Sequence, residues 1–335
     1  MNLKVDKNSC NMENILILDT SVSSLNKGDD IIMECVRKEL EFVLKDKFEL
    51  TLPTHVSSFH WYQILRGLYR VRKYARCKLK FVGGTNLLVK NMFTYYPQWN
   101  MNIFNNKAIR GCILVGVGAG AGEKTNLYTR WLYKKTLNHT YFHSARDQRT
   151  KEYIESLGLK ALNTGCVTMW KLTPDFCKTI PTEKANRVVF TLTANARMEK
   201  DPLDQELIDT LKRNYSEIYY WVQGDMDYEY LRLFENIDNI KILPATKQAY
   251  HELLMEEDLD YVGTRLHAGV YAMRHRKRSI ILVIDERARE INKSNNLNCL
   301  EKKDVSKLEA YINSKFETRI TMPFDAIEQW KNQFK

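Results

Sequence analysis

Short apolar runs alternate along the chain with longer segments whose apolar positions recur at helical spacing. The first run, 15–18, is followed by a polar turn and then by Ile32, Val36 and Leu40, which lie on one face of a helix. Continuous apolar runs between helices are typical of parallel strands that are buried on both faces. Further runs of this kind are 113–115, 218–222 and 280–284, and the runs 188–192, 240–243 and 259–262 are each interrupted by one polar residue.

The strand and helix alternation is interrupted once, by Pro174, Asp175 and the polar segment 178–187. A chain of 335 residues also exceeds the size at which single cores stop growing. We therefore predict an α/β protein with two Rossmann-like doubly wound domains facing a cleft, 1–178 and 186–318. Residues 319–335 are expected to form a helix that packs back on the first domain through Phe324, Ile327, Trp330 and Phe334.

The segment 258–287 reads as a strand, a glycine turn, a helix, a basic spacer and a second strand. Thr264 is predicted to cap the helix, and Arg265 and His267 follow in its first turn. The N–H groups of a first helical turn bind anions, an arginine fork binds oxyanions, and a histidine can carry a proton. Because Arg287 follows the next strand, it can converge on the same crevice. An ordinary surface turn is the alternative interpretation.

Polar groups also follow other predicted strands. Asn26 and Asp29 lie after the first strand, where Asp29 is either a first-turn acid that stabilises the helix dipole or a base that faces the crevice. Arg146 follows a strand near 141–143 and is either an anion binder or half of a local salt bridge with Asp147. A glycine turn at Gly83, Gly84 and Asn86 ends a third strand.

The formal net charge is +10, and the excess is concentrated in the first half of the chain. Between Glu49 and Glu123 there is no acidic residue but there are ten basic ones. The part of this region at 59–80 interleaves aromatic residues with arginines, as in an amphipathic basic helix. Such a helix can be a solvated surface, can lie on an anionic membrane, or can contact nucleic acid. The alternating strand and helix pattern argues against a nucleic-acid module.

The chain contains no apolar run near the roughly 20 residues that span a bilayer. Residues 1–14 are polar and charged rather than a signal sequence, and the seven cysteines show no Cys-x-x-Cys spacing. We expect a cytoplasmic protein, with peripheral contact to the inner face of the cell membrane as an option.

Several motifs together resemble the polysaccharide pyruvyl transferase family. The strongest is Gly-Thr-Arg-Leu-His-Ala at 263–268, followed by Ile284 and Asp285. The other matching segments are Asn-Lys-Gly-Asp-Asp at 26–30, the glycine pair at 83–84, Ser-Ala-Arg-Asp at 144–147 and Pro-Asp at 174–175. The chain departs from the family pattern at Thr85, where a third glycine is common, and at Arg287, where a lysine is common.

The resemblance implies a GT-B-like fold and transfer of pyruvate from phosphoenolpyruvate to two hydroxyls of one sugar, which forms a cyclic ketal in capsule or exopolysaccharide biosynthesis. The acceptor would be linked to undecaprenyl diphosphate or to a nucleotide and would lie on the N-terminal domain. Phosphoenolpyruvate would lie on the C-terminal domain, without a metal or other cofactor. A GT-B glycosyltransferase using a nucleotide sugar is the alternative. The implied catalytic residues are His267 and Asp29, and the implied binding residues are Arg146, Arg265, Arg287, Thr264, Asn26, Gly83, Gly84 and Asn86.

Overall fold

Two parallel β-sheets organise the part of the chain that the structure describes. This computed structural model describes residues 13–93, 98–120 and 124–335, except for the side chain of Arg287. The strands of the first sheet precede residue 178 and those of the second follow residue 186. The exact domain boundaries stay a prediction.

The first sheet has the strand order β2-β1-β3-β4, with every pair parallel. A bridge between Val117 and Ala145 places the parallel pair β5 and β6 beside β4. The strands are β1 (Asn14–Asp19), β2 (Phe48–Pro53), β3 (Lys80–Gly83), β4 (Ile113–Val115), β5 (His143–Ala145) and β6 (Ala161–Asn163). The helices are α1 (Gly28–Glu39), α2 (Glu41–Leu44), α3 (Trp61–Leu65), α4 (Tyr69–Ala75), α5 (Asn106–Ile109), α6 (Leu127–Thr136), α7 (Gln148–Ser156) and α8 (Pro174–Cys177). A 3-10 turn lies at Val167–Met169.

The second sheet has the order β12-β11-β10-β7-β8-β9, again all parallel. This is the strand order of a Rossmann fold, and its direction of winding reverses between β7 and β10. The strands are β7 (Arg187–Thr191), β8 (Glu217–Trp221), β9 (Ile240–Leu243), β10 (Leu259–Gly263), β11 (Ser279–Val283) and β12 (Cys299–Glu301). The helices are α9 (Pro202–Asn214), α10 (Asp227–Leu231), α11 (Lys247–Met255), α12 (Leu266–Arg274), α13 (Glu286–Asn295), α14 (Leu308–Asn313) and α15 (Phe324–Asn332), with a 3-10 segment at Lys302–Lys307.

The predicted strands are found within about two residues of their expected places, whereas the helix expected over 319–335 is formed only at Phe324–Asn332. At α9, Asp201 accepts a hydrogen bond from the backbone N–H of Leu203, and Pro202 is the first helical residue. An aspartate cap followed by proline suits a helix start, because proline lacks the N–H group that would otherwise be unpaired there.

The segment 59–80 is not the single amphipathic helix that its pattern suggested. It forms the short helices α3 and α4, and the turn between them contains Gly67 with a φ of +64°. Since side chains with a Cβ rarely adopt this backbone conformation, Gly67 ends the first helix and redirects the chain.

The C-terminal helix α15 lies against the first sheet. Trp330 and Phe334 pack on the ring of Phe81 in β3, and the Trp330 ring nitrogen donates a hydrogen bond to the carbonyl of Phe142. Trp170 also contacts Trp330, edge to face, with ring centroids 5.6 Å apart. Buried apolar residues of both sheets and of α15 form one continuous core cluster, so the contact between the two halves is itself part of the core.

Gly84 is fixed by the close approach of two strand ends. A Cβ at this position would lie 2.3 Å from the carbonyl oxygen of Gly116, a backbone atom that cannot turn aside. We expect Gly84→Ala to lower the free energy of unfolding by about 1–3 kcal/mol, the usual effect of overpacking. Gly120→Ala is the matched control, because the nearest atom would be 3.7 Å away. Urea unfolding of both variants measures the difference, and equal stabilities would contradict the packing argument.

Candidate active site

The C-terminal domain forms a crevice where β7 and β10 lie side by side. The backbone N–H of Thr264 donates to the carbonyl of Thr191 at 3.0 Å, and that of Arg265 donates to the Thr191 hydroxyl at 3.3 Å. A Cβ on Gly263 would lie 2.6 Å from the Thr191 carbonyl oxygen, so only glycine allows this approach. Ligands of open α/β sheets bind at this kind of switch point.

Arg265, rather than the predicted Thr264, is the N-cap of α12. The Thr264 hydroxyl is 2.9 Å from the hydroxyl of Thr193, so it connects two strand ends instead of capping the helix. The prediction of Thr264 as the cap was therefore wrong. A threonine before a helix suggests a cap locally, but its partner Thr193 lies after β7, far away in the sequence, and is not visible in the local pattern.

The guanidinium of Arg265 is held in one orientation. Its Nη2 forms an ion pair with Asp227, and its Nε donates to the carbonyl of Leu192 at 3.2 Å. The Asp227 carboxylate is almost fully buried and also accepts a hydrogen bond of 2.7 Å from the backbone N–H of Gly224. The remaining group, Nη1 of Arg265, makes no hydrogen bond within the described residues. An incoming oxyanion could bind it without breaking the ion pair.

His267 lies in the first turn of α12 and reaches the opposite domain. Its Nε2 is 3.9 Å from the Sγ of Cys166, a buried residue just beyond the end of β6. The imidazole itself is half-buried. The structure thus places a histidine between the carboxyl ends of the two sheets, where the sequence predicted a proton carrier.

Arg146 and Asn86 are brought together on the N-terminal domain. Nη2 of Arg146 donates to the Asn86 side-chain oxygen at 2.6 Å and lies 3.5 Å from the carboxylate of Asp147. The local salt bridge considered for Arg146 is therefore present, together with a second partner. A Cβ on Gly118 would lie 2.5 Å from Nη2 of Arg146, so glycine leaves room for the guanidinium.

The loop before α1 joins the two domains. The Asn26 side-chain oxygen accepts hydrogen bonds from the backbone of Gly28 and, at 2.8 Å, from the side chain of Gln223. Asp29, at the start of α1, is buried and accepts a hydrogen bond of 2.5 Å from the hydroxyl of Ser24. Both residues thus lie near the cleft, with Asn26 in direct contact with the C-terminal domain.

Arg146 also lines a cavity of about 290 Å³ at the domain junction, together with Asp147 and Glu290. Neither Arg265 nor His267 is among its lining residues.

Asp285 caps α13, and Arg287 is the second residue of that helix, but the side chain of Arg287 lies outside the described residues. Gly83 packs against α1, since a Cβ there would lie 2.1 Å from the sulfur of Met33. The structure therefore gives Gly83 and Gly84 packing roles.

Three residues that touch the predicted groups were missed by the sequence reasoning. Asp227 orients Arg265, Cys166 contacts His267, and Gln223 binds Asn26. Within the described residues no group of three histidine, cysteine, aspartate or glutamate side chains could hold a metal ion, and no helix there is both long and apolar enough to cross a bilayer.

Solved structures share this two-domain arrangement over nearly their whole length. UDP-GlcNAc 2-epimerase of Methanocaldococcus jannaschii, in complex with UDP-GlcNAc and UDP, has a TM-score of 0.55 at 11% identity, covering 96% of this chain and 99% of that one. MnaA of S. aureus with UDP has a TM-score of 0.52 at 11% identity, covering 97% and 95%. A putative UDP-N-acetylglucosamine 2-epimerase of Listeria monocytogenes has a TM-score of 0.52 at 11% identity, covering 95% and 94%. The chain thus has a GT-B-like fold, as predicted.

The family is shown by the sequence itself. A family model for polysaccharide pyruvyl transferase matches residues 26–286. This range includes Asn26 in the loop before α1 and the turn that contains Arg265 and His267. The chain belongs to the polysaccharide pyruvyl transferase family and is an enzyme of that type. A comparison with curated proteins finds no significant match.

The ion pair between Asp227 and Arg265 generates a stability prediction. Removing one partner of a buried pair leaves the other charge uncompensated, so Asp227→Asn should lower the free energy of unfolding by about 3 kcal/mol. Asp225→Asn is the control, because Asp225 is exposed two residues away. Urea unfolding of Asp227→Asn, Arg265→Gln and the double variant gives the coupling energy, which we expect to be about 1–3 kcal/mol. Additive effects of the two substitutions would show that the pair does not stabilise the crevice.

Proposed function

We propose that this enzyme transfers pyruvate from phosphoenolpyruvate to two hydroxyls of one sugar residue and so forms a cyclic ketal. The observation that carries the proposal is the family match over 26–286, which includes the turn with Arg265 and His267. The products are the ketal and inorganic phosphate. Such sugars belong to capsular or exopolysaccharide biosynthesis.

The donor carries a phosphate and a carboxylate, and both need positive partners. Nη1 of Arg265 and the first-turn N–H groups of α12 are proposed to bind the phosphate, because a helix N-terminus and a guanidinium favour the same anion. Arg146 from the facing domain and Arg287 are proposed to bind the rest of the donor. Arginine side chains and a helix end supply the positive charge in this scheme, so the proposal includes no metal or other cofactor.

The reaction is proposed to begin with protonation of the methylene carbon of phosphoenolpyruvate by His267. The proton converts the methylene to a methyl group and makes C2 electrophilic. A sugar hydroxyl then attacks C2, phosphate leaves, and a second hydroxyl of the same sugar closes the ring. Each hydroxyl loses its proton as it forms its new C–O bond. His267 suits the first step because its ring reaches into the junction between the domains, near Cys166.

The acceptor sugar is proposed to lie on the N-terminal domain. Asp29 is the candidate base, since it starts α1 beside the loop that contacts the C-terminal domain. Asn26, Asn86, Gly83, Gly84 and Thr264 complete the proposed site, with the two glycines and Thr264 acting through the backbone and through packing. The acceptor is proposed to be linked to undecaprenyl diphosphate, with a nucleotide-linked sugar as the alternative, and the enzyme to work at the cytoplasmic face of the membrane.

A glycosyltransferase reaction with a nucleotide sugar is the second candidate. Two of the structural relatives, those of Methanocaldococcus jannaschii and S. aureus, are described with UDP or UDP-GlcNAc, and this favours a test for a nucleotide site. Their identity to this chain is 11%, so the likeness extends to the fold alone.

The donor can be identified by thermal shift. Phosphoenolpyruvate should raise the melting temperature of the wild type, because a ligand that binds only the folded state stabilises it. Arg265→Lys, which keeps the charge but loses the planar fork, should show a smaller shift. A shift with UDP and none with phosphoenolpyruvate would favour the glycosyltransferase instead.

The proton donor can be tested by substitution. His267→Ala should lower turnover about a hundredfold or more, the usual contribution of general acid catalysis, while the affinity for phosphoenolpyruvate falls much less. Phosphate release in single turnover measures the first quantity and isothermal titration the second. His139→Ala is the control, because that histidine is exposed and bonds only to a nearby backbone carbonyl. Turnover within a few-fold of wild type in His267→Ala would remove this residue from the mechanism.

A further inference from the structure

A group of large apolar side chains on the N-terminal domain is left in solvent. Trp61 is 61% exposed and Leu65 67%, both in α3, while Tyr69 at the start of α4 is 72% exposed. Single exposed apolar residues are common on protein surfaces, but a cluster marks an interaction site. We call this cluster the apolar rim and define it as Trp61, Tyr62, Leu65, Tyr69, Ile103 and Phe104.

The rim residues lie in α3, at the start of α4 and in the segment 100–105. The backbone N–H of Asn100 donates to the carbonyl of Thr54 at 2.7 Å, and the side chain of Asn105 reaches the hydroxyl of Ser57 at 3.4 Å. Segment 54–57 precedes α3, and segment 100–105 carries the other two rim residues. These bonds hold segment 100–105 beside the chain that leads into α3.

The rim lies at the same edge of the sheet as the candidate active site. The 54–60 loop follows the carboxyl end of β2, and Asn100 of the 98–105 segment is hydrogen-bonded to Thr54 in that loop. In a parallel sheet the carboxyl ends of the strands face the crevice side. The backbone N–H of Thr54 also donates to the carbonyl of Asp19 at the end of β1, which connects the rim to that edge.

The surface around the rim is positively charged. Arg66, Arg70 and Lys107 are exposed and have no ion pair with any described residue. They belong to the stretch between Glu49 and Glu123 that contains no acidic residue. Tryptophan and tyrosine favour the interface between water and lipid, leucine enters the acyl region, and arginines attract anionic headgroups.

We propose that the apolar rim and its arginines dock the enzyme on an anionic lipid bilayer, with the mouth of the cleft towards the membrane. This inference rests on the proposed lipid-linked acceptor for its purpose, and it assigns the surface that would bring the enzyme to such an acceptor. A bilayer accounts for both halves of the surface at once. An RNA partner would use the positive charge but would leave Leu65 and Ile103 without a role.

Co-sedimentation of the full-length chain with vesicles tests the docking surface. Wild type should bind vesicles of equal parts phosphatidylcholine and phosphatidylglycerol, and should bind phosphatidylcholine alone much less. Trp61→Ala combined with Leu65→Ala should weaken binding to the anionic vesicles about tenfold or more, because buried apolar area is lost. Arg66→Gln combined with Arg70→Gln should weaken it by a similar factor and reduce its dependence on salt.

Matched controls lie on the C-terminal domain. Leu233→Ala with Met255→Ala removes two other exposed apolar side chains, and Arg232→Gln with Lys307→Gln removes the same charge. Both should bind vesicles like wild type. Melting temperatures of all variants show whether each one folds.

Three results would overturn the proposal. The first is equal binding of the rim variants and wild type, and the second is no preference of wild type for anionic vesicles. The third is an absence of vesicle binding together with concentration-dependent self-association that the rim substitutions abolish. That result would assign the rim to a second copy of the chain. Because vesicle binding is measured without turnover, failure of the ketal transfer reaction would leave this result standing, and the reverse also holds.

Discussion

The site depends on the hydrogen-bonded contact between the loop before α1 and the loop after β8. Backbone bonds run in both directions, from Lys27 to Gln223 at 2.8 Å and from Asp225 to Leu25 at 3.1 Å. The side chains of Asn26 and Gln223 add a third bond. The same loop after β8 contains Gly224, where a Cβ would lie 2.5 Å from Nη2 of Arg265, and leads to Asp227. This contact between the domains therefore involves the same loop that orients Arg265.

A second contact limits how far the domains can rotate about the first. Glu34 in α1 forms an ion pair with Lys247 of α11 and accepts a hydrogen bond of 3.0 Å from the hydroxyl of Tyr271 in α12. Burial alone would raise the pKa of Glu34, but hydrogen bonds from Lys247 and Lys38 lower it to about 2. The carboxylate therefore stays charged at neutral pH. The loop before α1 and Glu34 within α1 thus make two separate contacts with the C-terminal domain.

The sequence pattern predicted the positions of the strands well, but it predicted few of the contacts between side chains that are distant in the sequence. The strands around β7, β10 and β11 were visible because continuous apolar runs are rare outside buried strands. Arg265 and His267 were predicted to lie at a helix start because a glycine turn separates an apolar run from a segment with helical spacing. Asp227 could not be found in the same way. Its bond to Arg265 joins residues 38 positions apart, and nothing in the local spacing of either residue requires the other. The same limit explains Thr264, whose partner Thr193 follows the end of β7 and lies 71 positions away in the chain.

The arginines of the crevice are paired with carboxylates, and this changes what they can contribute. Arg265 is neutralised in part by Asp227, and Arg146 lies 3.5 Å from Asp147. Neither adds a full uncompensated charge to the cleft. Their partners instead hold the guanidinium groups in place, so an anion that binds them does not have to order long, flexible side chains. Fixed donors are also more effective than mobile ones where charge develops during a reaction. For the anionic donor proposed above, long-range attraction would come instead from the segment between Glu49 and Glu123, which is basic and contains no acidic residue. Attraction and orientation are thus assigned to different parts of the molecule.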